Sequence, residues 1–134
     1  MTQLLNLDGG ISAPFEIHQA SADTTDATQT TLATIAVAED EIVMVWAWCQ
    51  TIQDDGSQGY SAIKAGSYRR DAGGDVTLIG SVADIFEAED SGGAPDFTFT
   101  ADTTAQTVDL DWTGEAATNY AVKLTYAFMR QGTA

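Results

Sequence analysis

One histidine, His18 in PFEIHQ, and one cysteine, Cys49 at the end of IVMVWAWC, are the first residues to test for nucleophilic or metal chemistry. Neither has the company such chemistry needs. A zinc site wants several nitrogen or sulfur ligands at short spacing, and a lone histidine without a second histidine or cysteine partner supplies too few. A Ser/His/Asp relay is formally open, but no G-x-S-x-G marks an exposed nucleophile. A reactive thiol needs an electropositive, accessible setting, whereas Cys49 follows a purely apolar run and reads as a small buried hydrophobe. His18 reads as a surface or packing residue.

The carboxylates are more numerous. Asp54 and Asp55, Asp71 and Asp75, and Glu87, Glu89 and Asp90 form acid-rich loops of the kind that supply oxygens to calcium. None fits the twelve-residue EF-hand pattern, and tight turns select Asp and Gly in any case. Two acids flanking a glycosidic bond are the requirement for glycoside hydrolysis, but 20 acidic residues produce many pairs by chance. Trp46, Trp48 and Trp112 could stack on sugars, yet each falls at a strand position whose alternation assigns it to core or interface. G-x-G-x-x-G, the phosphate-binding loop and C-x-x-C are all absent, so no cofactor, metal or catalytic residue is expected.

Charge narrows the partners. The 134 residues carry 20 acids and 5 bases, a formal net charge of -15, with the acids spread through both halves. Such a field repels nucleic-acid phosphates and anionic membranes alike, so neither is an expected partner. At 44% hydrophobic and 19% charged, the chain has the balance of one globular domain with a sizeable core. With one cysteine no intrachain disulfide forms. No secretory leader is visible at the start of the sequence, and the apolar run at 42–49 is far too short to cross a bilayer as a helix.

The elements that would position these groups are short β-like runs separated by Asp/Gly turns, expected at 32–38, 42–52, 60–72, 76–82, 97–100, 107–113 and 120–129. DIFEAED is the one stretch that could form a helical turn. In TVDLDWTG, Val108, Leu110 and Trp112 alternate with polar residues. In YAVKLTYAFM, Tyr120, Val122, Leu124, Tyr126 and Phe128 alternate with smaller ones. Residues 1–31 differ in texture, with scattered apolar positions and then SADTTDATQTT, and read as an arm with one edge strand followed by a polar linker. The expectation is therefore an all-β, antiparallel β-sandwich at 32–134, jelly-roll-like, with an extended N-terminal arm at 1–31.

Two stretches do not fit a plain sandwich strand. In IVMVWAWC both parities are apolar, so the strand is either central and covered on both faces or covered on one face by a neighbouring subunit. In SYRRDAGGDVTLIG, Arg69 and Arg70 point to opposite faces at the mouth of a hairpin, where they offset nearby acids or bridge to a carboxylate of another subunit. Phe15, Ile17, Trp46, Trp48, Arg69 and Arg70 are accordingly the candidate interface residues.

The string SYRRDAGGDVTLIG, followed by TVDLDWTGEAATNYAVKLTY, resembles a β-rich domain of tailed-bacteriophage virion structural proteins. Val76, Thr77, Leu78, Ile79 and Gly80 carry the first element of that pattern, and Thr113, Gly114, Ala116, Asn119 and Tyr120 the second. The resemblance covers about residues 41–125 and transfers no catalytic residue. It implies a virion protein on the capsid exterior, made in the host cytoplasm. On this reading it is a capsid decoration (cement) protein that binds the major capsid protein, self-associates as a trimer and stabilises the assembled head. A tail or fibre component touching host glycans is the alternative.

Overall fold

The alternation in these runs resolves into nine strands among the described residues, which in this computed structural model comprise the backbone of 3–6 and 12–133 and the side chains of 15–133. The strands are β1 (Gln3–Asn6), β2 (Ser12–Thr24), β3 (Thr30–Ala36), β4 (Glu41–Gln53), β5 (Gly59–Arg70), β6 (Thr77–Glu89), β7 (Asp96–Asp102), β8 (Thr107–Thr113) and β9 (Tyr120–Gly132). All pairings are antiparallel. They form a six-stranded sheet of order β1-β2-β9-β4-β5-β6 and a three-stranded sheet of order β3-β8-β7. The fold is an all-β sandwich.

Its topology explains the jelly-roll character. β2 pairs with β9 in one sheet and β3 pairs with β8 in the other, so the chain nests its first strands against its last, as jelly rolls do. The middle of the chain then runs as a β4–β5–β6 meander in the larger sheet, which makes the two sheets unequal.

The core lies between the sheets. The inward residues of β4 (Val43, Val45, Ala47 and Cys49) are fully buried against Val108, Leu110 and Trp112 of β8 and Tyr120 and Leu124 of β9. Trp112 is the centre of an aromatic cluster, 5.2 Å from Tyr60 and 5.4 Å from Tyr120 between ring centroids. Its indole N–H donates to Thr24 Oγ1 at 3.2 Å, which ties the end of β2 to the opposite sheet. Rings of this size account for much of the apolar area that drives the two sheets together.

Two expectations change. Residues 12–24, read from sequence as part of an arm, form a thirteen-residue strand in the sheet, paired with β9 from Phe15 through Thr24. The stretch DIFEAED is not a helical turn but the second half of β6, held by two bulges at which β6 carries extra residues opposite Ala65–Ser67 and Ile63–Lys64. Gly80, with φ of 70°, occupies the first bulge, where a side chain would be strained.

Candidate functional site: the outer face of the larger sheet

Register assigns each strand residue to a face, since cross-strand partners stand side by side. On the outer face of the six-stranded sheet the rows read Phe15–Met129–Met44–Ser67–Ile79, then Ile17–Ala127–Trp46–Ala65–Ala83, then Gln19–Thr125–Trp48–Ile63–Phe86. The strands lie about 4.8 Å apart, so these rows form one continuous surface. Met44, Trp48, Ile79, Phe86 and Met129 are each 40 to 50% exposed, while Phe15, Ile17 and Trp46 are half-buried. β4 is thus central in its sheet and sealed on one face only. Its other face is open in the single chain.

The distribution of acids sharpens this. Among the described residues placed on that face by register, the only carboxylate is Asp23, at a corner opposite Ala121 and Ile52. The outer face of the three-stranded sheet is the reverse, with Thr31, Thr34, Thr98, Thr100, Asp102, Asp109 and Asp111. Asp111 is buried there and accepts hydrogen bonds from Thr31 Oγ1 at 2.7 Å and Gln29 Nε2 at 2.9 Å. Among the described residues the sandwich thus has one acidic face and one face almost free of acids, apolar along the Met44, Trp46 and Trp48 rows and polar along the row Ser21–Lys123–Gln50–Ser61.

The apolar face is not uniform. A shallow depression of about 220 Å³ lies between Trp48, Ile63 and Phe86 on one side and Lys123 and Thr125 on the other. Among the described residues, Lys123 has no carboxylate within 4 Å, whereas Lys64, Arg69, Arg70 and Arg130 each have at least one. The Trp46 indole N–H is buried on this face and meets no acceptor among the described residues.

The candidate residues divide accordingly. Phe15, Ile17, Trp46, Trp48 and Arg69 all come to this face, Arg69 at its end opposite Ile42. Arg70 does not, because it points to the inner side. There its Nε donates to Gly74 O at 2.8 Å and its guanidinium lies 3.5 Å from Glu39, holding the AGGD hairpin against the loop before β4. Arg69 pairs with Asp71 of the same hairpin. Gln106 completes the clasp by accepting from Val76 N and donating to Asp75, both at 2.8 Å. Both arginines therefore have carboxylate partners within their own chain.

One titratable cluster was not legible in the sequence. Lys64, nearly buried on the inner side of β5, lies 3.0 Å from Asp84 and 3.8 Å from both Glu87 and Asp96. Tyr60 Oη donates to Glu87 at 2.9 Å and accepts from Phe97 N at 3.2 Å. Burial, reinforced by the Glu87 carboxylate, pushes the Tyr60 phenol well above its ordinary value. The set straps β5 and β6 to β7, and its lysine offsets part of the negative charge of the three acids that converge on it. Cys49 is fully buried, and desolvation raises its thiol to about 12, the direction opposite to activation. His18 stacks on Tyr126 and Phe128, with centroids 5.2 and 5.3 Å away, as a packing residue of β2. Among the described residues, no group of three or more His, Cys, Asp or Glu is arranged to hold a metal ion, and no helix is long and apolar enough to cross a membrane.

The fold and this face define an antiparallel β-sandwich with one surface suited to being covered. No protein-family model matches the chain, and no curated protein matches it in sequence. Among solved structures its fold is similar to part of the tailspike protein of Acinetobacter baumannii phage AM24. The TM-score is 0.50 and the identity 10%, over 90% of this chain and 27% of the tailspike. The likeness is one of fold, and the chain spans about a quarter of the tailspike's length.

Proposed function

We propose that this chain is a structural module of a tailed-bacteriophage virion that works by assembly through the outer face of its six-stranded sheet. The observation that carries the reading is the partition of charge: a protein of net charge -15 keeps a five-strand-wide apolar surface with one corner carboxylate. Removing that surface from water costs little electrostatically and gains the transfer free energy of its exposed side chains. The sequence resemblance to phage virion domains and the fold likeness to a phage tailspike both support a virion setting.

Between head and tail, the tailspike likeness supports a tail or spike component. Capsid decoration, with the major capsid protein as partner, remains the reading that the sequence resemblance alone implies. Immunogold labelling of particles from the virus that encodes the chain separates the two. Label on the tail is expected, label on the head returns the decoration role, and unlabelled particles sink the virion reading altogether.

A second reading rests on the depression beside Trp48. Two exposed rings with Thr125 and Lys123 close by are groups that can stack on and hydrogen-bond to an acidic sugar. Thermal unfolding followed with and without acidic oligosaccharides tests it. An unchanged midpoint at millimolar sugar removes it.

A further inference from the structure

We infer that the occupant of the outer face is another copy of this chain, packed sheet against sheet. The inference rests on reading this face as an assembly surface, and adds the identity of the partner. Three observations select it. First, the described residues of this face offer an ionic partner almost nothing to recognise: two cations, one of them already paired with Asp71, and the carboxylate Asp23. A basic protein would find its complement elsewhere on this acidic molecule, so the partner of this face is itself apolar and nearly charge-free. Among the described residues the chain displays one such surface, and a two-fold axis brings a surface onto its own copy.

Second, the size is sufficient. The rows from Ile42 to Ile52 extend about 33 Å along β4, and the five strands from β2 to β6 extend about 19 Å across it. Counting the whole face, including its polar row Ser21–Lys123–Gln50–Ser61, that gives about 600 Å² per copy and about 1,200 Å² in total, above the roughly 1,000 Å² expected of a biological contact. Third, the shape suits face-to-face packing at the roughly 10 Å spacing of stacked sheets. Ala65, Ala83 and Ala127 leave low ground beside Trp46 and Trp48 into which rings of a facing copy can interdigitate.

The charge of the whole molecule then dictates an unusual salt response. Two bodies of charge -15 repel through the acids around the rim, and salt screens that repulsion while strengthening apolar burial. Self-association should therefore grow with ionic strength, whereas docking driven by ion pairs weakens.

The test is the mass of the full chain by light scattering at low and high salt, over a range of protein concentration. The expected result is a mass above one chain whose share rises with salt. It should collapse to one chain in Met44→Lys, and separately in Met129→Lys, two exposed positions whose substitution leaves the core intact, as circular dichroism would verify. A single-chain mass under every condition overturns the inference, and so does an oligomer that survives both variants. Particle labelling that succeeds while self-association fails overturns only the identity of the partner, leaving the virion role in place.

Discussion

Lys64 and Asp84 face each other across the β5–β6 pair at 3.0 Å, with the lysine side chain 9% exposed and the aspartate 66%. The asymmetry decides what each contributes. The ammonium is the desolvated partner, and its carboxylates keep much of their water. Removing the ammonium leaves no buried charge behind, so Lys64→Met should cost no more than about 1 kcal/mol. Removing all three acids instead, in the triple variant Asp84→Asn, Glu87→Gln and Asp96→Asn, strands the ammonium and should cost about 2–3 kcal/mol. Urea unfolding of the two variants measures the contrast. Equal losses would show that the cluster is merely a surface ion pair.

Alkaline pH supplies a second prediction. Burial raises Cys49 to about 12 and Tyr68 to about 12, from ordinary values of 9.0 and 10.0. Both groups are neutral when protonated, so the folded state retains protons that the unfolded chain has already released. The stabilisation is complete below pH 9 and is lost as pH rises from 9 towards 12, with a slope of at most about 1.4 kcal/mol per pH unit for each group. Stability measured by denaturant titration should start to fall near pH 9. In Cys49→Ala the decline should begin about one pH unit later, where the tyrosines take over. An onset that does not move would mean that Cys49 titrates alike in both states.

How much of this was legible in sequence depends on the strand. β8 is readable to the residue because Val108, Leu110 and Trp112 face the core while Asp109, Asp111 and Thr113 do not. β2 is hidden because its inward positions include Glu16, His18 and Ala20, and its histidine packs by stacking on rings of β9 and not by joining an apolar alternation. β6 is obscured by two bulges: the one opposite Ile63–Lys64 inserts a single residue and shifts the period of two, and the one opposite Ala65–Ser67 inserts two residues around Gly80. Phe15, Ile17, Trp46 and Trp48 could be picked out as candidates by their apolar character alone. That they share one nearly acid-free face follows only from register between strands distant in sequence. The Lys64 cluster is of the same kind, joining residues from three strands.

The bond from Trp112 to Thr24 gives a third prediction, one that separates packing from hydrogen bonding. Thr24→Val keeps the shape and removes the acceptor, leaving a fully buried indole N–H without a partner. The expected loss is about 1–3 kcal/mol. Thr24→Ser restores the hydroxyl and should recover most of it. Fluorescence-detected urea unfolding distinguishes the two, and a serine variant as unstable as the valine one would assign the effect to the lost methyl group.

Deleting residues 1–31 is the prediction on which the sequence-based and structure-based readings part most sharply. If this segment were an arm joined by a linker, the remainder would fold unchanged. The structure instead places Phe15–Thr24 of β2 against β9 along ten consecutive register pairs, from Phe15–Met129 to Thr24–Tyr120. Removing them exposes one edge of β9, uncovers Tyr126 and Phe128 where His18 stacks, and takes away the acceptor of the Trp112 indole. A native-like remainder cannot follow, because an unpaired edge beside uncovered rings invites aggregation. The truncated chain should therefore lose cooperative thermal unfolding and aggregate, whereas the full chain unfolds in one transition. Calorimetry of both forms decides the matter: a sharp transition in the truncated protein, at a midpoint close to that of the full chain, would restore the arm and make β2 a dispensable strand.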